Sequence, residues 1–332
     1  MKKIMNRPDQ FVEDSLQGIL YAHAEKLRAH PEDLRAIVRA DAPARGKVAI
    51  VTGGGYGHLP LFLGYVGPGA CDGVAVGNVF TSPSCESIVR ACQLADGGEG
   101  ILFLFGNYMG DQMNFEMAGE MLSLEGIRTE TIRAADDVAS APRASWQERR
   151  GIAGIFFAYW VAGAKAGQGA SLDEVASVTR KACARIATIG VAFSSCQLPE
   201  SAQPIFSIED GEMELGMGIH GEKGISRCGM MDSAALAKRM TGALVEDLRL
   251  KAGSRIAVLV NGLGSTSREE LYILTKDVFD LARAADITVE RCFVGEYVTS
   301  MEMAGASLTF FGLDDELSAL IKQPVSTPFV KE

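Results

Sequence analysis

Histidine is nearly absent from this chain: His23, His30, His58 and His220 are all it has among 332 residues. Any chemistry that needs an imidazole has few places to sit. The seven cysteines are scattered, with no Cys-x-x-Cys pair and no Cys/His grouping of zinc-site spacing. That excludes a zinc-ordered module and fits buried thiols in a reducing cytosol. Positive charge is also in deficit, with 32 Lys and Arg against 42 Asp and Glu and a formal net charge of −10. Nucleic acid and anionic membrane are therefore excluded as principal partners. The longest apolar run, Ile152 to Ala164, is too short to span a bilayer and reads as a buried helix. The opening MKKIMNRPDQF is basic but lacks the apolar core of a secretion signal. A cytoplasmic protein is expected.

What is present is ordinary globular composition, 47% hydrophobic and 22% charged. The length favours two domains over one. Strand-like and helix-like segments alternate, the α/β pattern. GKVAIVTGGG reads as a strand stopped by glycines, and GILFLFGNYMGD repeats the plan before a helix over Gln112 to Leu124. IRTETI is a further strand, and a polar loop carries Asp136 and Asp137. Helices are expected over roughly 147–165 and 171–186, the second capped by Ser171. Beyond residue 187 come short strands in TIGVAFSS, QPIFSI and EMELGMGI, then RIAVLVNGLG between helices near 231–247 and 267–284. ITVERCFVG and ASLTFFGL supply the last strands. A boundary near 187 gives domains 1–187 and 188–332.

Two of the four histidines stand in glycine-rich turns, His58 in GGGYGH and His220 in GMGIHGE, whereas His23 and His30 fall in a polar, helix-like and solvated stretch. Glycine opens backbone conformations closed to other residues and lets a ligand approach the main chain. The turn at 53–58 follows a strand but lacks the Gly-Lys-Ser/Thr ending of a P-loop and fails the G-x-G-x-x-G spacing, so a nucleotide cradle is unsupported. It serves either tight-turn architecture or a small ligand. Asp111 ends a second glycine turn past a strand. It either caps the following helix or joins His58 at adjacent strand ends, where the pair could take hydrogen bonds and a proton from a substrate hydroxyl.

His220 is either a core histidine satisfied by backbone or a nucleophile. A neutral imidazole nitrogen can add to a ketone to give a hemiaminal that cannot proceed to a neutral imine. Glu222, two residues on, could share a side of an extended segment and orient the ring, although that spacing is a weak signal. The polar turn Asn261–Ser267 is read as structural, with Ser267 capping a helix whose first turn holds Glu269 and Glu270. Asp136 and Asp137 lack a third oxygen ligand nearby and are read as a solvated loop.

Taken together the motifs resemble one family. VRADAP at 38–43, GGGYGH at 53–58, FTSPS at 80–84, DGGEG at 96–100 and NYMGDQMNFE at 107–116 appear in order. DDVA at 136–139, RRGIAG at 149–154, GMGIHGE at 216–222 and TSMEMAG at 299–305 continue it. Almost end to end, the chain resembles the substrate-binding K subunit of dihydroxyacetone kinases. The resemblance implies two α/β domains with mixed sheets flanked by helices, and a homodimer. It implies that His220 holds the ketone as a hemiaminal, that His58 and Asp111 engage the hydroxyl to be phosphorylated, with His58 the base, and that Gly55, Tyr56, Gly57 and Gly106 line the triose site. It implies no cofactor in this subunit. Magnesium with ADP or ATP belongs to a separate nucleotide-binding L subunit, whose aspartate cluster has no counterpart here.

Three departures bear on substrate. The family's serine before the last Gly-His is Tyr56, the glutamate after it is Leu59, and the lysine ahead of Asn-Tyr-x-Gly-Asp is Gly106. Loss of that lysine removes a cation and its donors and frees space, so a larger ketose such as erythrulose is expected. Another class of function implied by the family is a ketose-sensing coactivator that contacts a transcription regulator without catalysis. Retention of both His58 and Asp111 favours the kinase subunit, because sensing needs only capture. A NAD-dependent enzyme is excluded by the absent fingerprint.

Overall fold

The structure is a computed structural model describing residues 3–331. The chain forms two compact units. They are not the contiguous spans 1–187 and 188–332, whose outermost residues, 1–2 and 332, lie outside the described residues. Among the described residues the first unit comprises 3–134, 158–181 and 320–331, and the second 135–157 and 182–319. The reason is physical. Three of the four crossings, at 157/158, 181/182 and 319/320, fall inside continuous helices, which leave no linker signature, and the last of them returns the chain to the first unit. There Ser326 N–H donates to the Pro68 carbonyl at 2.9 Å.

The first unit holds a six-stranded sheet built from β1 (Leu27–His30), β2 (Asp33–Arg39), β3 (Ala49–Tyr56), β4 (Gly73–Val79), β5 (Ile101–Gly106) and β6 (Thr129–Ala134). Its order is β1-β2-β4-β3-β5-β6. β4, β3, β5 and β6 run parallel, and β1 and β2 add an antiparallel margin. His30 therefore lies in a strand, whereas the helix before it, α1 (Phe11–Ala22), stops at His23. The central strands β3 and β5 are buried along their whole length, as their Val, Ile, Leu and Phe content dictates for a sheet covered on both faces. Flanking helices are α2 (Cys85–Ala95), α3 (Met109–Leu124), most of α4 (Ile155–Gly167) and most of α5 (Leu172–Cys183). α4 starts later than the expected 147, because the N–H groups of Arg150, Ile152 and Gly154 are taken by the side chains of Ser140 and Asp136.

The second sheet contains β7 (Ile186–Ala192), β8 (Glu212–Leu215), β9 (Ser226–Gly229), β10 (Arg255–Gly262), β11 (Thr288–Gly295) and β12 (Gly305–Leu313), in the order β11-β10-β12-β7-β8-β9. Only β10 and β11 pair in parallel. QPIFSI forms no strand. α6 (Ser233–Leu248) and α7 (Arg268–Ala284) pack their apolar stripes, Leu236, Met240 and Leu244 with Leu271, Leu274 and Val278, on this sheet, and the short α8 (Asp315–Leu320) closes it. Ser267 caps α7 in a reciprocal box with Glu270. Asn261 is a buried staple whose amide donates to Val298 and Ser307 and accepts from Tyr297 and Val298. The structural reading of that turn holds. Among the described residues, no helix is long and apolar enough to cross a membrane.

Candidate functional site

β3 and β5 are parallel neighbours, so both end at one edge of the first sheet, the edge where ligands bind in such sheets. His58 follows β3 and Asp111 lies in the first turn of α3, just after β5. Both are buried, at 1% and 5% exposure. α3 is pinned by Phe115, whose ring stacks on Phe105 at 4.2 Å and meets Phe103 edge-on at 5.1 Å. Asp111, four residues earlier, shares that inward face. The N-cap of α3 is Tyr108, so Asp111 is not the capping residue; it stands in the first turn, where the helix dipole favours a carboxylate.

The glycines of GGGYGH have a definite task. A Cβ on Gly54 would lie 2.2 Å from the Phe62 ring, and one on Gly55 would lie 2.7 Å from the Thr81 backbone nitrogen. Their absence lets two aromatic residues close on His58. Phe80 stacks on the imidazole at 4.7 Å and 13°, and Phe62 meets it edge-on at 6.5 Å. Both phenylalanines hold left-handed backbone, φ 56° and 63°, which costs a bulky residue about 1–3 kcal/mol each. Such strain persists where surroundings over-determine it, and here both strained residues pack their rings on His58.

The segment after Phe80 also reaches α3. Ser82 Oγ lies 2.6 Å from where a Gly110 Cβ would be, and the Asn114 amide donates to the Pro83 carbonyl at 2.7 Å. One loop, FTSPS, thus touches the His58 ring and the first turn carrying Asp111. Sequence reasoning assigned this loop no role; the signal was its aromatic opening, two residues before a serine. Gly57 takes φ 102° and Gly106 ends β5, paired with Ala134. Tyr56 points elsewhere. It is buried, and its hydroxyl is hydrogen-bonded to Ser15 of α1.

His220 lies in the second unit, in the turn between β8 and β9. Its Nδ1 is 2.9 Å from Glu222 Oε1, and its backbone N–H donates to Glu222 Oε2 at 2.9 Å. The weak two-residue signal was correct in substance. Burial alone would raise the Glu222 carboxyl, but the hydrogen bonds and attraction from His220 outweigh it and hold the group at about 2. An ionised carboxylate only accepts, so in the neutral ring the proton belongs on Nδ1, which leaves the lone pair on Nε2. Gly218 makes this possible, because a Cβ there would sit 2.1 Å from Glu222 Oε2.

Behind Glu222 stands Arg150, 4.0 Å from Oε2. Its guanidinium is bound to Asp137 at 2.6 Å and donates to the Gly216 carbonyl at 3.1 Å. Asp136 accepts from the N–H groups of Ile152 and Gly154 at 2.9 and 2.7 Å. Both aspartates are buried, at 2% and 0% exposure, which corrects the expectation of a solvated loop. Burial pushes Asp137 up to about 6 against the pull of Arg150. Next to Arg150, Arg149 is anchored by two hydrogen bonds to Asp247, at 3.0 and 2.6 Å. Among the described residues no three His, Cys, Asp or Glu side chains converge as a metal site.

The Dak1 domain model matches residues 17–329. The chain belongs to the Dak1 family. Among Dak1 relatives, the dihydroxyacetone-binding subunit of PTS-dependent dihydroxyacetone kinase 1 from Listeria innocua is 43% identical over 98% of this chain and 99% of its own length. The D-erythrulose kinase of Mycolicibacterium smegmatis is also 43% identical, over the whole chain but only 57% of its own length. The crystal structure of the C. freundii dihydroxyacetone kinase with AMP-PNP and Mg2+ superposes with a TM-score of 0.90 at 30% identity, covering 98% of this chain and 60% of that one. A dihydroxyacetone kinase operon co-activator superposes with 0.87 at 30% identity, covering 94% and 96%. These matches span both sheets described above. The two complete kinases are much longer than this chain.

Proposed function

We propose that the chain is the ketose-binding subunit of a dihydroxyacetone-type kinase, an alcohol phosphotransferase. His220 captures the ketone and His58 with Asp111 engages the hydroxyl, while a separate nucleotide-binding L subunit supplies the phosphoryl group. The observation that carries it is the clamp of an ionised Glu222 on Nδ1 of His220. The Nε2 lone pair adds to the carbonyl carbon, the carbonyl π electrons move to oxygen, and that oxygen ends as a hydroxyl. The Nδ1 proton lost from the ring balances the one gained, so the adduct weighs as protein plus intact ketose, with no water lost. The hydroxyl proton then passes to His58 as the substrate oxygen attacks the phosphorus of the donor and the bond from that phosphorus to the donor's leaving oxygen breaks. Magnesium and ADP or ATP belong to the L subunit, and we propose that the subunit is cytoplasmic and homodimeric. Intact-mass measurement with dihydroxyacetone and with erythrulose tests capture; absence of an adduct with either ketose sinks the proposal.

Retention of two buried, positioned groups at the first-unit edge favours turnover over sensing, since the strain around His58 serves no purpose in capture alone. The sensing function predicts an adduct without phosphorylation when a purified L subunit and its donor are added.

The substrate follows from Gly106. The erythrulose kinase among the relatives supports a pocket for a four-carbon ketose beside a residue with no side chain. Gly106→Lys is expected to shift the ratio of kcat/KM from erythrulose towards dihydroxyacetone by about tenfold, the scale of one methylene-sized discrimination. Equal ratios in both proteins would remove Gly106 from specificity.

Gly218 gives a second check. Gly218→Ala is expected to displace Glu222 and weaken adduct formation about a hundredfold, the usual cost of misplacing a reacting group by about an ångström. The far-ultraviolet circular dichroism should be retained. Undiminished adduct in the alanine variant would show that the clamp does not govern capture.

A further inference from the structure

α3 is amphipathic in an unusual sense. Its inward stripe, Asp111, Phe115, Ala118 and Leu122, is buried as a core-facing helix requires. Its outward stripe should be polar and is instead sulfurous. Met109, Met113, Met117 and Met121 recur every four residues, exposed to 77%, 61%, 52% and 43%, and Leu124 follows at 90%. Four methionines at this spacing form one continuous ridge about 18 Å long. Glu116 and Glu120, both exposed, run alongside it. Single exposed apolar residues are ordinary, but a contiguous strip marks an interaction surface.

Resting on the kinase-subunit function proposed above, we infer that this ridge is the docking surface for the nucleotide-loaded L subunit. Three observations choose that occupant over a second copy of the chain. The ridge starts in the turn that carries Asp111, so a body seated on it arrives where the phosphoryl donor is needed. Two kinase relatives are longer, this chain spanning 57% and 60% of them, and the length they add has the size of a second, donor-bearing body. The strip is confined to five side chains of one helix, whereas a standard stable interface takes about 20–30 residues a side. That size suits a partner that must leave after each transfer. Methionine is unbranched and polarisable, and it repacks readily against a partner that binds and departs. The flanking glutamates call for a basic rim on the partner.

The test titrates purified L subunit against the full chain, reading both direct binding and the apparent KM for L. Met113→Glu and Met117→Glu are each expected to weaken L binding by on the order of tenfold or more. Met117→Leu should keep it, and the ketose adduct on His220 and the elution volume in size exclusion should stay as in the unaltered chain. Unchanged L affinity in both glutamate variants overturns the inference. So does a changed oligomeric state with unchanged L affinity, which would make the ridge a contact between copies. Failure of the underlying function looks different: the unaltered chain would form no adduct, whatever the binding of L shows.

Discussion

His220→Ala is expected to abolish the ketose adduct and to lower kcat/KM by at least about a hundredfold, since capture holds the substrate where the second step can occur. The loss should appear in mass spectra before any kinetic measurement is made. Glu222→Gln separates the nucleophile from what orients it. Glutamine keeps the shape but loses the charge that assigns the proton to Nδ1, so an adduct should form but be weaker by about tenfold. An adduct in Glu222→Gln as abundant as that of the unaltered chain would place the orienting role elsewhere. The same residue gives a pH signature whose sign is fixed. The Glu222 carboxyl is held at about 2 instead of its ordinary 4.5, so its ionised form stabilises the folded chain. That contribution is complete above about pH 4.5 and is lost as pH falls towards 2. Melting temperatures of the unaltered chain and Glu222→Gln should therefore converge as pH falls from 4.5 towards 2.

Some of this site was legible in residue order and some was not. Glycine turns past apolar runs announce strand ends, and local sequence determines such ends; His58, Asp111 and His220 stand out as candidates that way. What glycine was making room for could not be read, because Phe62 and Phe80 close on His58 from outside the turn. Asp136 and Asp137 looked solvated because adjacent acids in a polar stretch usually are. Their partners, the N–H groups of Ile152 and Gly154 and the guanidinium of Arg150, lie 13 to 18 residues on. Tyr56 was expected in the loop lining the ligand, and that its hydroxyl is held by Ser15, 41 residues away, could not be read locally. The expected boundary at 187 failed for the same reason: contacts across the chain, not composition along it, define the two units. The methionine ridge was in plain view as letters. Only the burial of Asp111, Phe115, Ala118 and Leu122 shows that the methionines face out.

His58→Ala is expected to produce the complementary phenotype. The adduct on His220 should form as before, because the second-unit clamp is untouched, while kcat for phosphorylation falls by about 10²–10⁴, the range for losing a positioned base. Asp111→Asn should act in the same direction. Its buried carboxylate stands in the first turn of α3, and a neutral amide there gives less help to a developing charge. The pattern across the three sites is the decisive measurement. Loss of adduct in His220→Ala, with retained adduct and lost transfer in His58→Ala, assigns capture and activation to different units of the chain. If His58→Ala turned over at full rate with its L subunit, the base would have to be sought elsewhere. The stacked Phe80 and the strained backbone beneath it would then have no chemical purpose, and the sensing function would become the better account of a fold that still captures ketose.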